Sequence, residues 1–228
     1  MPGKLYILAT PIGNLSDLSP RAVATLRDAD ALLAEDTRSA RRLLSHLGLS
    51  KPAYSLFGEN ERAKIQGLLD FLERGKNLVL LSDAGTPAVS DPGQFLVRAA
   101  LLAGIPVVPL PGPSALTAAL SVSGLPAVPS LFLGFLPKKS GKRKKLLERT
   151  KSVEATLVVF AGPHDALDVV SDLLEVLGDR PVTLCRELTK MFEEVKAATL
   201  AALLADLQAR KEIRGEITLV IGPTAGSP

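Results

Sequence analysis

Two short apolar runs in the middle of the chain each break off into a turn of glycine, proline and small residues. Leu78–Ser82 leads into Ser82-Asp83-Ala84-Gly85-Thr86-Pro87, and after a helical stretch Pro106–Leu110 leads into Pro111-Gly112-Pro113-Ser114-Ala115. A run as short and as wholly apolar as Leu78–Leu81 suits a strand buried on both faces of a parallel sheet. Asp83 then places a carboxylate at the strand's carboxyl end, the edge where open α/β sheets bind ligands. The loop behind it has little side-chain bulk, so a ligand can approach its peptide groups closely. The alternative is a pair of ordinary β–α turns, with Ser114 there only to cap the next helix.

The rest of the chain repeats the alternation. Lys4–Ala9 is a strand closed by Thr10-Pro11-Ile12-Gly13-Asn14-Leu15, and Ser19-Pro20 opens a helix in the expected cap-then-proline order. Ala31–Ala34 is a strand closed by Glu35-Asp36-Thr37-Arg38, followed by a helix that stops at Gly48. Ala53–Phe57 and a helix over Glu61–Arg74 complete the series. Strands alternating with amphipathic helices predict βαβ crossovers and a mainly parallel sheet. Past Gly124-Leu125-Pro126 the rhythm changes. Strands are expected at Leu131–Phe135, Thr156–Phe160, Val182–Cys185, Glu193–Ala197 and Ile217–Ile221, with fewer helices between them. That predicts a mixed, partly antiparallel sheet. The expected architecture is therefore a two-domain α/β chain, 1–124 and 125–228, with a frayed tail at Thr224–Pro228.

Composition narrows the function. With 228 residues, 46% of them hydrophobic and 22% charged, the chain has globular make-up. One cysteine rules out an internal disulfide framework, and with only two histidines the usual zinc ligands are scarce. No charge or histidine occurs from Ala99 to Pro137, a length that suits a membrane span, but its many prolines break a spanning helix. Buried core plus a subunit interface is the reading adopted, in a soluble, cytoplasmic protein. Neither a dinucleotide-binding G-x-G-x-x-G after the first strand nor a P-loop is present, and no serine-nucleophile elbow appears. Small-residue loops, one well-placed aspartate and few nearby charges suit a compact neutral or zwitterionic ligand held by backbone groups.

Six motifs occur in order: Thr10–Leu15, Ala34-Glu35-Asp36-Thr37-Arg38, Ser82–Pro87, Pro111-Gly112-Pro113, Gly134-Phe135-Leu136-Pro137 and Arg186-Glu187-Leu188-Thr189-Lys190. Together they resemble those of the bacterial 16S ribosomal RNA cytidine 2′-O-methyltransferases, within the tetrapyrrole-methylase-like superfamily. The resemblance runs from Leu5 to about Ile221. It implies S-adenosylmethionine (S-adenosyl-L-methionine) as methyl donor, bound in a cleft between two α/β domains, and a homodimer. It implies a cytidine ribose 2′-hydroxyl of 16S ribosomal RNA, free or in the small ribosomal subunit, as acceptor, with neither membrane nor DNA involved. By position Asp83, Gly85, Thr86, Ser114, Ala115 and Ala161 fall where the superfamily holds the cofactor. The chain departs from its relatives at Phe160-Ala161-Gly162-Pro163-His164-Asp165, which lacks a Glu and an Arg, and at Phe57-Gly58-Glu59-Asn60-Glu61, which lacks a His-rich segment. It also ends soon after Ile221, where many relatives carry a further helical segment. A relative that methylates a tetrapyrrole or a protein side chain, or an RNA-binding relative without catalysis, are the alternatives.

Methyl transfer to a hydroxyl is helped by a group that accepts its proton. Glu35 and Asp36 end a strand on the same edge as Asp83 and are candidates, with Arg38 for a flanking phosphate and Lys190 in reserve. Asp36 or Thr37 capping the next helix is the competing reading, as is a simple Glu187–Lys190 pair. Lys138, Lys139, Lys142, Arg143, Lys144 and Lys145 form a basic loop leading into a short helix, read as an RNA-phosphate contact or else a solvated surface. His46 reads as structural, Cys185 as a buried small residue, and His164 as a cap or surface residue at a helix start.

Overall fold

The computed structural model describes residues 1–223, so the expected frayed tail lies outside the described residues. The chain forms two compact units that divide between Ser114 and Ala115.

The first unit holds β1 (Leu5–Leu8), α1 (Pro20–Asp28), β2 (Ala31–Ala34), α2 (Thr37–His46), β3 (Ala53–Ser55), α3 (Gly58–Glu73), β4 (Leu78–Leu81), α4 (Gln94–Leu102) and β5 (Val107–Leu110). The sheet order is β3-β2-β4-β1-β5, and every pairing is parallel. Alternation along β4 shows why its residues are all apolar. Val79 and Leu81 pack with Leu26 and Leu44 of α1 and α2, while Leu78 and Leu80 pack with Leu72 and Leu96 of α3 and α4. Both faces of the sheet are covered, so no position of the strand tolerates a polar side chain. Parallel strands deliver all their carboxyl ends to one edge, and there the loops after β4, β1 and β5 stand in neighbouring positions.

The second unit holds α5 (Ala115–Val122), β6 (Ser130–Phe135), α6 (Ser140–Thr150), β7 (Thr156–Ala161), α7 (Ala166–Leu177), β8 (Pro181–Arg186), β9 (Glu194–Thr199), α8 (Leu200–Ala209) and β10 (Ile217–Ile221). The order is β6-β7-β10-β8-β9, with β6–β7 parallel and the remaining pairs antiparallel. Helices α6, α7 and α8 cover one face through Leu147, Leu173 and Leu203. Ala119 of α5 packs on the other face against Val158, Cys185 and Val220. That contact is why the division falls ahead of the expected Gly124–Leu125 boundary: α5 is an uncharged helix and it completes the second sheet. Cys185 is indeed a buried small residue, and burial, aided by the charge of Glu193, pushes its thiol up to about 11. Among the described residues no helix is long and apolar enough to cross a membrane.

Candidate functional site

The loops after β1 and β4 are stitched together. Thr10 N donates to Gly85 O at 2.8 Å and Gly85 N donates back to Thr10 O at 3.0 Å, an isolated antiparallel bridge between two parallel strands' ends. Thr10 Oγ1 donates to Ser82 O at 3.0 Å, and Ser82 Oγ donates to Gly85 O at 2.9 Å. Gly85 adopts φ 80°, a left-handed conformation that costs glycine little, and a Cβ there would lie 3.5 Å from Ile12. Thr86 Oγ1 reaches Pro113 O at 3.4 Å, so the loop after β5 joins the same group. Asp83, Gly85, Thr86 and Ser114 are thus brought to one edge of the first unit. Ala115 and Ala161 belong to the second unit, Ala161 buried at the end of β7.

The β4–α4 loop is held under constraint. Ala88 and Ser90 both take positive φ, 63° and 66°, which non-glycine residues adopt only when their surroundings impose it. The loop's far end is anchored by Glu61 of α3, 2% exposed, whose carboxylate accepts from Gly93 N at 3.2 Å and Leu96 N at 2.9 Å. A buried carboxylate at the start of α4 satisfies otherwise orphaned N–H groups and suits the positive end of the helix. Gly93 is obligatory here, since its Cβ would strike Leu80 Cδ2 at 2.4 Å.

This loop carries Asp91, which the motif reading passed over. Burial, reinforced by the charges of Glu35 and Asp83, pushes its carboxyl up to about 6. Three carboxylates from two adjacent strand ends therefore share one field, which adds to burial in favouring the protonated form of Asp91. The signal lay in Ser90-Asp91-Pro92-Gly93, which follows the Asp83 motif directly, but a second aspartate in a loop gives no hint of its burial.

The structure separates the remaining candidates. Asp36 caps α2: its Oδ1 accepts from Arg38 N at 2.8 Å, and its carboxylate binds the Arg38 guanidinium at 2.6 Å. Hydrogen bonds from that guanidinium and from the Arg38 backbone hold its carboxyl down at about 2. Glu35 is exposed beside it. Lys190 sits in the second unit, 2.9 Å from Glu187 and 3.0 Å from Glu216. Burial opposes its charge, but the hydrogen bonds it donates to Glu187 and Glu216 outweigh that and raise its pKa. Such an amine stays protonated and accepts no proton at neutral pH.

The basic run is a correction as well as a finding. It is mostly helical, since α6 begins at Ser140, and Arg143 is buried rather than presented to solvent. Arg143 Nε bonds Asp172 Oδ2 at 2.6 Å, and Nη1 donates to Pro137 O and Lys138 O. A guanidinium so enclosed cannot meet a phosphate. Lys144 is also engaged, at 2.6 Å from Glu175. Lys138, Lys139, Lys142 and Lys145 remain exposed and, among the described residues, without an ion pair.

The profile of the tetrapyrrole (corrin/porphyrin) methylases matches residues 4–204, and the chain belongs to that family. Within it the chain is similar to proteins named ribosomal RNA small subunit methyltransferase I. The one from Vibrio cholerae is 46% identical over 222 residues, covering 95% of this chain and 76% of that protein. The one from Halalkalibacterium halodurans is 43% identical over 219 residues, covering 96% and 75%. The fold is shared with the methyltransferase CobJ, at TM-score 0.72 and 18% identity over 99% of this chain and 96% of that one. It is shared too with uroporphyrin-III C-methyl transferase from Thermus thermophilus complexed with S-adenyl homocysteine, at 0.67 and 22% over 96% and 97%.

Proposed function

We propose that this chain transfers the methyl group of S-adenosylmethionine to the ribose 2′-hydroxyl of a cytidine in 16S ribosomal RNA. The observation that carries this reading is the identity of 42% to 46% with proteins named for ribosomal RNA small-subunit methylation, spanning nearly the whole chain. The residues present suit the donor. Asp83 supplies an exposed acceptor for its polar groups, and Gly85, Ser114, Ala115 and Ala161 add little bulk. The donor supplies an electrophilic methyl group on a sulfonium.

The chain's own work is placement and proton removal. Holding the 2′-oxygen in line for attack supplies roughly 7–11 kcal/mol of the barrier. A proton acceptor serves best with a pKa near the working pH. Asp91 meets that requirement at about 6, whereas Asp36 at about 2 is a cap and a phosphate-side partner for Arg38. We therefore assign proton acceptance to Asp91 in place of Asp36 or Lys190. Lys138, Lys139, Lys142 and Lys145 offer cations to the RNA backbone.

The functional form on this reading is a homodimer in the cytoplasm. Support comes from the uncharged stretch Ala99–Pro137 and from its exposed Leu101, Leu102, Val122 and Val128. Labelled S-adenosylmethionine offered to small subunits from a strain lacking this protein should mark one cytidine ribose. Label on no ribose 2′-oxygen would refute the assignment.

A further inference from the structure

The Gly134-Phe135-Leu136-Pro137 motif has no part in the cofactor residues or in the cation run, yet it builds a distinctive surface. The β6–β7 register shifts between Phe132 and Gly134, so the strand carries an extra residue there. Bulges of this kind re-aim the side chains that follow them. Here the shift pairs Phe135 with Phe160, and their rings meet edge to face at 5.5 Å and 65°. Phe132 braces Phe160 from another side at 4.9 Å. Phe135 is nonetheless 63% exposed, a large aromatic ring fixed in place and open to solvent.

Beside it lies a hollow of about 120 Å³, lined by Phe135, Phe160, Lys138, Asp165, the ion-paired Arg143 and Ala161, the last of which is also a cofactor residue in the reading above. Asp165 opens α7, but its carboxylate makes no capping hydrogen bond. Lys138 at the rim and Lys139, Lys142 and Lys145 beyond it are exposed and, among the described residues, unpaired. An open aromatic face with a free cation at its rim, and more on the helix that follows in sequence, is the combination by which proteins hold single strands: bases stack, phosphates pair.

We propose that this hollow is a subsite for one unstacked nucleobase of the RNA, with Phe135 as its stacking face and the α6 lysines on the adjoining phosphates. Asp165 gives the subsite an acceptor for an exocyclic amino group, which favours cytosine over uracil. The inference rests on the RNA-methylation reading and adds to it a place where the strand is gripped.

The chain contains no tryptophan, so Phe135→Trp introduces a single indole reporter. Titration with an oligocytidylate should quench that indole saturably, and a duplex of equal length should not. Phe135→Ala and Phe135→Leu, the latter keeping apolar bulk without the ring, should each weaken oligonucleotide binding about tenfold, with S-adenosylhomocysteine affinity unchanged. Asp165→Asn should erase the preference for oligocytidylate over oligouridylate. RNA that binds in a salt-dependent manner yet leaves the indole unquenched would overturn the stacking subsite and leave the RNA reading standing. Loss of S-adenosylhomocysteine affinity in Phe135→Ala would give the hollow to the cofactor, and a changed sedimentation coefficient would give it to a subunit interface; either overturns the proposal. A wild-type chain that binds no RNA would instead fail the underlying reading, and this inference with it.

Discussion

Replacing Asp172 by alanine strips the buried Arg143 guanidinium of its carboxylate. The two side chains are 8% and 3% exposed, and the pair also organises Ser140 Oγ at 3.0 Å and Lys144 at 3.5 Å. Removing one member of a buried, hydrogen-bonded pair costs about 3–5 kcal/mol, because the remaining charge stays out of water without compensation. For a chain of roughly 150–250 residues that is a fall of about 6–20 °C in Tm. The double variant Arg143→Met/Asp172→Leu replaces both charges with apolar groups of similar size and should regain most of the loss. Thermal melts followed by circular dichroism test the stability, and filter binding of RNA across a salt series tests the function of Arg143. Arg143→Met should melt early, while its log–log salt slope stays that of the wild type. A variant that melts normally but loses about one unit of salt slope would make Arg143 a phosphate contact and refute the buried-pair argument.

Other outcomes follow from the first unit. Asp91 binds its proton more tightly folded than unfolded, so its contribution to stability is full below 3.8 and is lost as pH rises through about 6; Asp91→Asn should flatten urea-measured stability across that window. The same variant should slow single-turnover methylation by roughly 100- to 10,000-fold with donor affinity intact, and an unchanged rate would remove Asp91 from proton transfer. Glu61→Ala orphans Gly93 N and Leu96 N and should cost at least about 2 kcal/mol in urea denaturation, with weaker donor binding as the β4–α4 loop loosens. Asp83→Ala should weaken donor binding on the order of tenfold or more by calorimetry; unchanged affinity would take Asp83 out of the site.

The two aspartates at the first unit's edge show how type and spacing can mislead. Asp36 stands in a motif at a strand's end and invites a catalytic role, yet it bonds the backbone two residues on, as Asp does at a helix start. Asp91 stands in an ordinary-looking turn and draws its basicity from burial beside two like charges. Local sequence encodes the first interaction. The second depends on residues far apart in the chain.

Short-range periodicity and turn chemistry carry part of the architecture unaided. The apolar runs Leu78–Leu81 and Ala31–Ala34, the Ser19-Pro20 helix start and the glycine-proline loops after the strands predict the first sheet and the edge that collects the ligand loops. The tertiary structure alone decided which groups meet across that framework. Thr10 found Gly85 only once β1 paired with β4, and α5 joined the second sheet because Ala119 had an apolar face to cover. Arg143 left the solvated run because the helix turn that exposes Lys142 and Lys145 directs it inward to Asp172. Burial, and the partners that make burial tolerable, are set by distances between residues remote in sequence, and no local pattern records them.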